Sequence, residues 1–90
     1  AGVRRLPRAG ALRVAVIDDH VIVRKGLAAL INFAPDLMVC GESDTVDGGL
    51  ACIAREQPDV AVVDLALGTE SGLDLVASLA ASAPALPVLM

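Results

Sequence analysis

Two short apolar runs, each ending in carboxylates, limit most strongly how this chain can fold. One run is Val14–Ile17, followed by Asp18 and Asp19; the other is Val60–Val63, followed by Asp64. Apolar runs of this length are typical of strands that are buried on both faces of a sheet. If the two strands are parallel neighbours, their carboxyl ends bring all three acids to one edge of the sheet.

Strand-like and helix-like segments alternate along the rest of the chain. The predicted elements are a strand at 13–18, a helix at 21–34, a strand at 37–41, a helix at 45–56, a strand at 60–64, a loop at 65–71, a helix from 72 to about 81 and the opening of a fourth strand at 87–90. Alternation of this kind is typical of an α/β fold in which helices cover both faces of a parallel sheet.

Helical spacing of apolar residues predicts which side of each helix faces the sheet. The residues expected on these inner faces are Val23, Leu27, Leu30 and Ile31 in the first helix, Val46, Leu50, Ile53 and Ala54 in the second, and Leu73, Val76 and either Leu79 or Ala80 in the third. Asp44 or Thr45 is expected to cap the second helix, and Ser71 the third. Arg24 and Lys25 are expected on a solvated face of the first helix, or against a partner.

Charge is distributed unevenly and divides the chain into two predicted regions. Residues 1–12 contain Arg4, Arg5 and Arg8 and no acid, and we expect them to form a basic, flexible leader. Residues 13–90 carry all 11 acids but only four of the seven bases, a net charge of −7. An acidic domain of this kind is a poor nucleic-acid binder by itself.

The cysteines and the apolar C-terminal stretch bear on the cellular compartment. Cys40 and Cys52 lack the Cys-x-x-Cys spacing of a redox or metal pair and are expected to be small, reduced core residues. The stretch from Leu75 onwards is too short to span a bilayer and is interrupted by Pro84 and Pro87. We therefore predict a cytoplasmic protein that does not enter the membrane.

The predicted acidic cluster has a chemistry of its own. Close carboxylates repel one another by roughly 4 kcal/mol per pair at an effective dielectric near 20. Mg²⁺ relieves such repulsion, prefers oxygen ligands and often binds together with a phosphate group. A carboxylate can also attack phosphorus to form an acyl phosphate. Asp64 stands alone before a glycine-bearing loop and is the predicted nucleophile, whereas Asp18 and Asp19 are predicted to hold the metal; the alternative is that all three are simple strand-end turn residues.

These acids also carry a resemblance to a known family. The pair Asp18 and Asp19, the strand-end Asp64 located 45 residues after Asp19, and Gly72 resemble the receiver domain of bacterial two-component response regulators. The stretches that look like the LuxR/NarL-type branch are Asp18–Leu27, Asp64–Gly68 and Gly72–Leu75. The resemblance implies a flavodoxin-like (CheY-like) doubly wound parallel sheet with strand order 2-1-3-4, over residues 13–90. It makes His20 a signature of the branch; otherwise His20 is a polar residue at a helix start.

The resemblance implies a role for each matching residue. Asp64 would be the phosphoacceptor, taking a phosphoryl group from the phosphohistidine of a sensor histidine kinase. Asp19 and Asp64 would ligate Mg²⁺ directly, Asp18 would act mostly through water, and the backbone carbonyl of Ala66 would supply a further ligand. Gly68 occupies a position where the family often has proline, which would leave this loop less preorganised.

The family's switch hydroxyl and phosphate-binding lysine would both lie beyond Met90. We therefore expect this chain to hold three strand–helix units and the start of a fourth strand, with the C-terminal part missing. A homodimer, or completion of the sheet by another chain, is expected to cover the open edge. The family contacts DNA and controls transcription through an output domain, which we expect to lie outside these 90 residues.

Two other functions are open at this stage. The chain could be a degenerate receiver that acts as a phosphorylation-independent interaction module, although the intact set of three acids argues against this. It could also be a phosphohydrolase with an aspartyl nucleophile. Such enzymes need a second acid two residues after the nucleophile, and Ala66 occupies that position. The favoured prediction is a signalling domain that accepts a phosphoryl group and does not turn over as an enzyme.

Overall fold

A computed structural model describes residues 10–64, 66–67, 70–83 and 85–89. The elements in chain order are β1 (Leu12–Ile17), α1 (Val21–Phe33), β2 (Leu37–Ser43), α2 (Val46–Glu56), β3 (Val60–Val63), β4 (Ala66–Leu67), β5 (Glu70–Ser71), α3 (Gly72–Ser82) and β6 (Val88–Leu89). The basic residues of the predicted leader lie outside the described part of the chain.

A four-stranded parallel sheet with the order β2-β1-β3-β6 forms the centre of the fold. Because β6 is the strand that was predicted as the fourth, this is the predicted order 2-1-3-4. The α/β fold class is confirmed. The chain reverses its direction of travel across the sheet between β2 and β3. Because crossovers between parallel strands are right-handed, this reversal places α1 on one face of the sheet and α2 and α3 on the other.

The main core lies between the sheet and the pair α2 and α3. Its buried members are Ala15, Ile17, Val46, Cys52, Ile53, Ala61, Val63, Leu75 and Leu79. Val14 and Val16 are also buried and alternate onto the opposite face, where α1 packs against β1 and β2. Within the described residues, no helix is long and apolar enough to cross a membrane.

The structure turns a different side of α1 towards the sheet from the one that was predicted. Ala28 is buried and Leu27 and Ile31 are half-buried, whereas Val23 and Leu30 are exposed. The stripe that faces the sheet also includes Arg24, which stands three and four residues before Leu27 and Ala28. Apolar periodicity does not detect a stripe that contains a charged residue. The prediction therefore chose a face that includes Val23 instead of Arg24.

Smaller differences affect the other two helices. In α2, Thr45 is the N-cap, and its side chain accepts a hydrogen bond from the backbone N–H of Gly48 at 2.9 Å. Val46, Cys52 and Ile53 are buried as predicted, together with the unpredicted Gly49, whereas Leu50 is half-buried and Ala54 is exposed. In α3, Leu79 is buried as predicted and Val76 is half-buried, but Leu75 replaces Leu73 on the inner face and Ala80 is exposed. The predicted cap by the Ser71 side chain falls outside the described part of the structure.

The predicted loop at 65–71 contains a short antiparallel pair of strands. Ala66 pairs with Ser71 in this β4–β5 hairpin, and Leu67 pairs with Glu70. Strands of two residues are too short for apolar alternation to reveal them, so the sequence carried no signal for this pair.

The second strand extends two residues beyond its predicted end and contains a bulge. Val14 pairs with Val39 and Ala15 pairs with Gly41, so Cys40 is the extra residue on β2. Gly41 lies against α2 on the far side of the bulge. A Cβ atom at this position would collide with Cys52 Sγ, so the close approach of β2 to α2 requires glycine here.

We expect Gly41→Ala to lower the free energy of unfolding by about 1–3 kcal/mol, the usual cost of an overpacked core. Combining it with Cys52→Ala should recover much of that loss, because the sulfur that the new methyl group meets is removed. Chemical denaturation of the two single variants and the double variant measures this coupling.

Gly26→Ala is the matched control. A Cβ at Gly26 would meet nothing within 4 Å, and the residue lies inside α1. This variant should gain up to about 1 kcal/mol through helix propensity. A Gly41→Ala protein as stable as the parent would show that β2 and α2 are not in tight contact here.

Candidate metal centre

The pairing of β1 with β3 brings two acidic strand ends to the same point. Ile17 lies opposite Val63, and the backbone N–H of Asp64 donates to the carbonyl of Ile17 at 2.9 Å. On the other side, the N–H of Asp18 donates to the carbonyl of Ser43 at 2.9 Å. Asp18 and Asp64 therefore leave the sheet side by side, with their backbones held by neighbouring strands.

Four side chains converge at this edge. Asp18, Asp19, His20 and Asp64 each place one potential ligand atom within 4.8 Å of all the others. His20 Nδ1 lies 2.9 Å from Asp18 Oδ1, 3.0 Å from Asp19 Oδ1 and 3.3 Å from Asp64 Oδ2. The predicted meeting of the three carboxylates is thus observed, and His20 joins them.

Ala66, the fourth predicted contributor, begins β4 two residues after Asp64. Its side chain is not described. The role of its carbonyl oxygen as a metal ligand stays a prediction, because the structure establishes only that the chain forms a short strand at this position.

Asp18 is the one charged side chain among the described residues that is buried, with 7% of its surface exposed. Its Oδ1 accepts hydrogen bonds from the backbone N–H of His20 at 2.8 Å and from the ring Nδ1 of His20 at 2.9 Å. The first of these bonds closes a local turn of the kind that Asp favours. Asp18 therefore stabilises the loop that leads from β1 into α1.

Asp19 is in a different situation from its neighbour. Its Oδ1 atom is buried and accepts no hydrogen bond within the described part of the protein. His20 Nδ1 lies 3.0 Å from this oxygen and forms an ion pair with it when the ring is protonated, but the contact is not a hydrogen bond. A buried acceptor without a partner costs about 1–3 kcal/mol.

This orphaned oxygen makes the site suitable for a cation. Carboxylate oxygens are the preferred ligands of Mg²⁺ and other hard divalent ions, and a cation between the acids would satisfy Asp19 and reduce their mutual repulsion. His20 offers a nitrogen atom as well, which suits transition metals more than Mg²⁺. The donor set thus fits a hard cation held by the carboxylates.

The acids in turn affect the histidine. The hydrogen bond to Asp18, followed by the negative charge of Asp19, raises the pKa of His20 above its usual value of 6.5. The ring is otherwise open to solvent, with 62% of the side chain exposed. Sequence reasoning missed this contact, although the Asp-Asp-His succession just before a predicted helix was a usable signal for it.

Arg24 is a second residue whose place was predicted wrongly. It was expected on a solvated face with Lys25, but only 13% of its side chain is exposed, compared with 62% for Lys25. Arg24 lies beside the cluster, on the stripe of α1 that faces the sheet.

A surface cavity lies apart from this site. It has a volume of about 510 Å³ and lies at the opposite edge of the sheet, where α2 and α3 end. Its walls include Leu50, Ile53, Pro58 and Leu79. None of the four residues of the acidic cluster lines this cavity.

A family model for the response regulator receiver domain matches residues 14–90. The chain belongs to the receiver domain family of response regulators. It is 37% identical over 79 residues to the DNA-binding transcriptional activator DevR/DosR of Mycobacterium tuberculosis, covering 88% of this chain and 36% of that protein. It is 34% identical over 61 residues to the nitrate/nitrite response regulator NarL of Escherichia coli, covering 68% of this chain and 28% of that one. The chain thus spans about a third of the length of these relatives.

Solved structures agree with this assignment. A LuxR-family two-component response regulator from Aurantimonas sp. SI85-9A1 superposes with a TM-score of 0.82 at 27% identity, covering 87% of this chain and 56% of that one. The receiver domain of the response regulator NarL from Mycobacterium tuberculosis gives a TM-score of 0.76 at 29% identity, covering 87% and 61%. The predicted resemblance to the LuxR/NarL-type branch is confirmed.

In metal-free protein, we expect His20 to titrate with a pKa above 6.5. Its protonated ring contributes stability that is fully present below the unfolded-state pKa of about 6.5 and is lost as pH rises through the higher folded-state value. His20 is the single histidine of this sequence, so the shift of its ring protons against pH reports the pKa directly.

Asp18→Asn should move the pKa of His20 back towards 6.5, because the largest cause of the shift is removed. Asp47→Asn is the control, since Asp47 is exposed on α2 and is not among the causes of the shift. A His20 pKa at or below 6.5 in the unsubstituted, metal-free protein would contradict the observed arrangement.

Proposed function

We propose that this receiver domain accepts a phosphoryl group on Asp64 from the phosphohistidine of a sensor histidine kinase. One observation carries the proposal: three carboxylates meet at the carboxyl ends of β1 and β3, and a buried oxygen of Asp19 has no hydrogen-bond donor among the residues that the structure describes. This is a site that needs a cation, at the edge of a receiver-family sheet where ligands usually bind. Mg²⁺, held directly by Asp19 and Asp64, through water by Asp18, and by the carbonyl of Ala66, would neutralise charge on the transferring phosphoryl group.

The residues of the chain divide the chemistry among them. A carboxylate oxygen of Asp64 attacks phosphorus, and the new O–P bond forms as the P–N bond to the kinase imidazole breaks. The electron pair of the broken bond returns to the imidazole nitrogen. Asp64 suits this role because its backbone N–H is bound to Ile17 while its side chain is half-exposed. Asp18, which is buried and hydrogen-bonded, is held as part of the loop and is a poorer nucleophile.

The consequences for the whole protein belong to the same proposal. Phosphorylation would control a DNA-binding output domain, since the relative DevR/DosR is named as a DNA-binding transcriptional activator. Partners would be the kinase, DNA through that output domain, and a second copy or further chain along the open edge of the sheet. The domain would signal in the cytoplasm, where a reducing environment keeps Cys40 and Cys52 as free thiols. It would act without multiple turnover.

We expect Asp64→Asn to abolish the covalent adduct, because an amide oxygen is too weak a nucleophile to replace the carboxylate. Intact-mass measurement after incubation with acetyl phosphate and Mg²⁺ should show one labile phosphoryl group on the parent protein and none on the variant. Asp47→Asn, an exposed acid on α2, is the isosteric control and should be phosphorylated normally.

Chelation provides a second measure of the same site. Removal of divalent ions should abolish the adduct on the parent protein, and Asp19→Asn should raise the concentration of Mg²⁺ needed to form it. Multiple-turnover hydrolysis of a small phosphate ester would instead support a phosphohydrolase. Absence of any adduct with bound Mg²⁺ present would support an interaction module.

A further inference from the structure

Arg24 links the acidic loop, residues 18–20 between β1 and α1, to the sheet through two contacts. Its Nη1 donates to the backbone carbonyl of Asp18 at 2.7 Å, and its Nε pairs with Glu42 Oε1 at 3.2 Å. Glu42 lies on β2, opposite Val16 of β1. One guanidinium therefore connects α1, β2 and the loop that carries the acid pair.

The carbonyl that Arg24 binds belongs to the peptide joining Asp18 to Asp19. The loop is also held just before this peptide, by the bond from the Asp18 N–H to Ser43, and just after it, by the bond from the His20 N–H to the Asp18 carboxylate. The contact with Arg24 fixes the carbonyl itself. Rotation of this peptide would change the directions of both carboxylates, so its orientation decides whether they can converge on one cation.

Arginine is well suited to this task. Its rigid guanidinium presents several donors at fixed angles and can bind a carboxylate and a carbonyl together, whereas a lysine ammonium is a single mobile point of charge. The position carries a cost, because a cation close to a helix N-terminus opposes the helix dipole. Arg24 also gives up most of its exposure to water. The contacts with Asp18 and Glu42 offset these costs.

Lys25 provides an internal comparison. Its Nζ binds the same Glu42 oxygen at 3.1 Å, yet the side chain stays 62% exposed. Arg24 and Lys25 thus share one carboxylate partner, Glu42. Of the two side chains, Arg24 is the one that also donates a hydrogen bond to the Asp18 carbonyl.

We propose that Arg24, anchored by Glu42, is a positioning residue that holds the Asp18–Asp19 peptide in its cation-binding orientation. It sets the affinity of the site for a divalent cation without touching the ion. The inference rests on the proposed function, because it assumes that the three carboxylates bind Mg²⁺. Indirect partners of this kind commonly change metal affinity by about 10- to 100-fold.

The test is titration of the full-length protein with Mg²⁺, followed by calorimetry and by backbone amide shifts of the loop from Asp18 to His20. Arg24→Gln should raise the Kd for Mg²⁺ by about tenfold or more. Arg24→Lys should weaken Mg²⁺ binding to a similar extent, because lysine keeps the charge but cannot donate to Glu42 and to the Asp18 carbonyl together. Glu42→Gln should weaken binding less. Lys25→Gln, which removes a cation from the same carboxylate, should leave the Kd within about twofold of the parent.

Phosphorylation separates positioning from chemistry. With acetyl phosphate, the adduct on Arg24→Lys should form slowly at low Mg²⁺ and approach the parent rate at saturating Mg²⁺. A merely structural ion pair would lower thermal stability without this dependence on the ion. If Arg24→Gln fails to fold, Arg24→Lys and Glu42→Gln still decide the question.

Equal Kd values for the parent and Arg24→Lys, at a temperature where both are folded, would overturn the inference. A parent protein that binds Mg²⁺ but forms no adduct would overturn the proposed phosphoacceptor role and leave the Arg24 comparison intact. A parent protein that binds no Mg²⁺ would overturn both.

Discussion

Parallel pairing of β1 with β3 is the constraint on which the rest of this structure depends. Because Ile17 lies opposite Val63, the two strands end at the same level and release their acids at the same point. A slip of one residue would turn every side chain of one strand to the other face of the sheet. The buried residues Ala15, Val16, Ala61 and Val63 make such a slip costly, so the hydrophobic core and the site share one register.

The fold was predictable because its strongest signals are local. The apolar runs ending at Ile17 and Val63 identify buried strands, and their alternation with helices leaves few topologies. Features that depend on tertiary contact were not predictable in this way. The rotation of α1 was misjudged because Arg24 occupies its inner stripe, and the β4–β5 hairpin is too short to produce a pattern.

In the candidate site, too, some features follow from local sequence signals and others depend on tertiary contacts. Convergence of Asp18, Asp19 and Asp64 followed from strand ends alone and is observed. The contributions of His20 and Arg24 depend on the path of the loop between β1 and α1, which no periodicity describes. The two adjacent acids also have different environments there: Asp18 Oδ1 accepts two hydrogen bonds from His20, whereas Asp19 Oδ1 accepts none from the described residues. Sequence alone cannot assign such a difference to two identical neighbouring side chains.

The bulge at Cys40 shifts the pairing of the rest of β2 with β1 by one residue, so the side chains after it lie on the opposite faces of the sheet. Without the extra residue, the pairing of Val14 with Val39 would continue to place Glu42 opposite Ile17, on the side of the sheet that holds the main core. With it, Glu42 lies opposite Val16, on the side of α1, where it meets Arg24. The length of β2, counted to a single residue, therefore determines whether a carboxylate enters the hydrophobic core or supports the acidic loop.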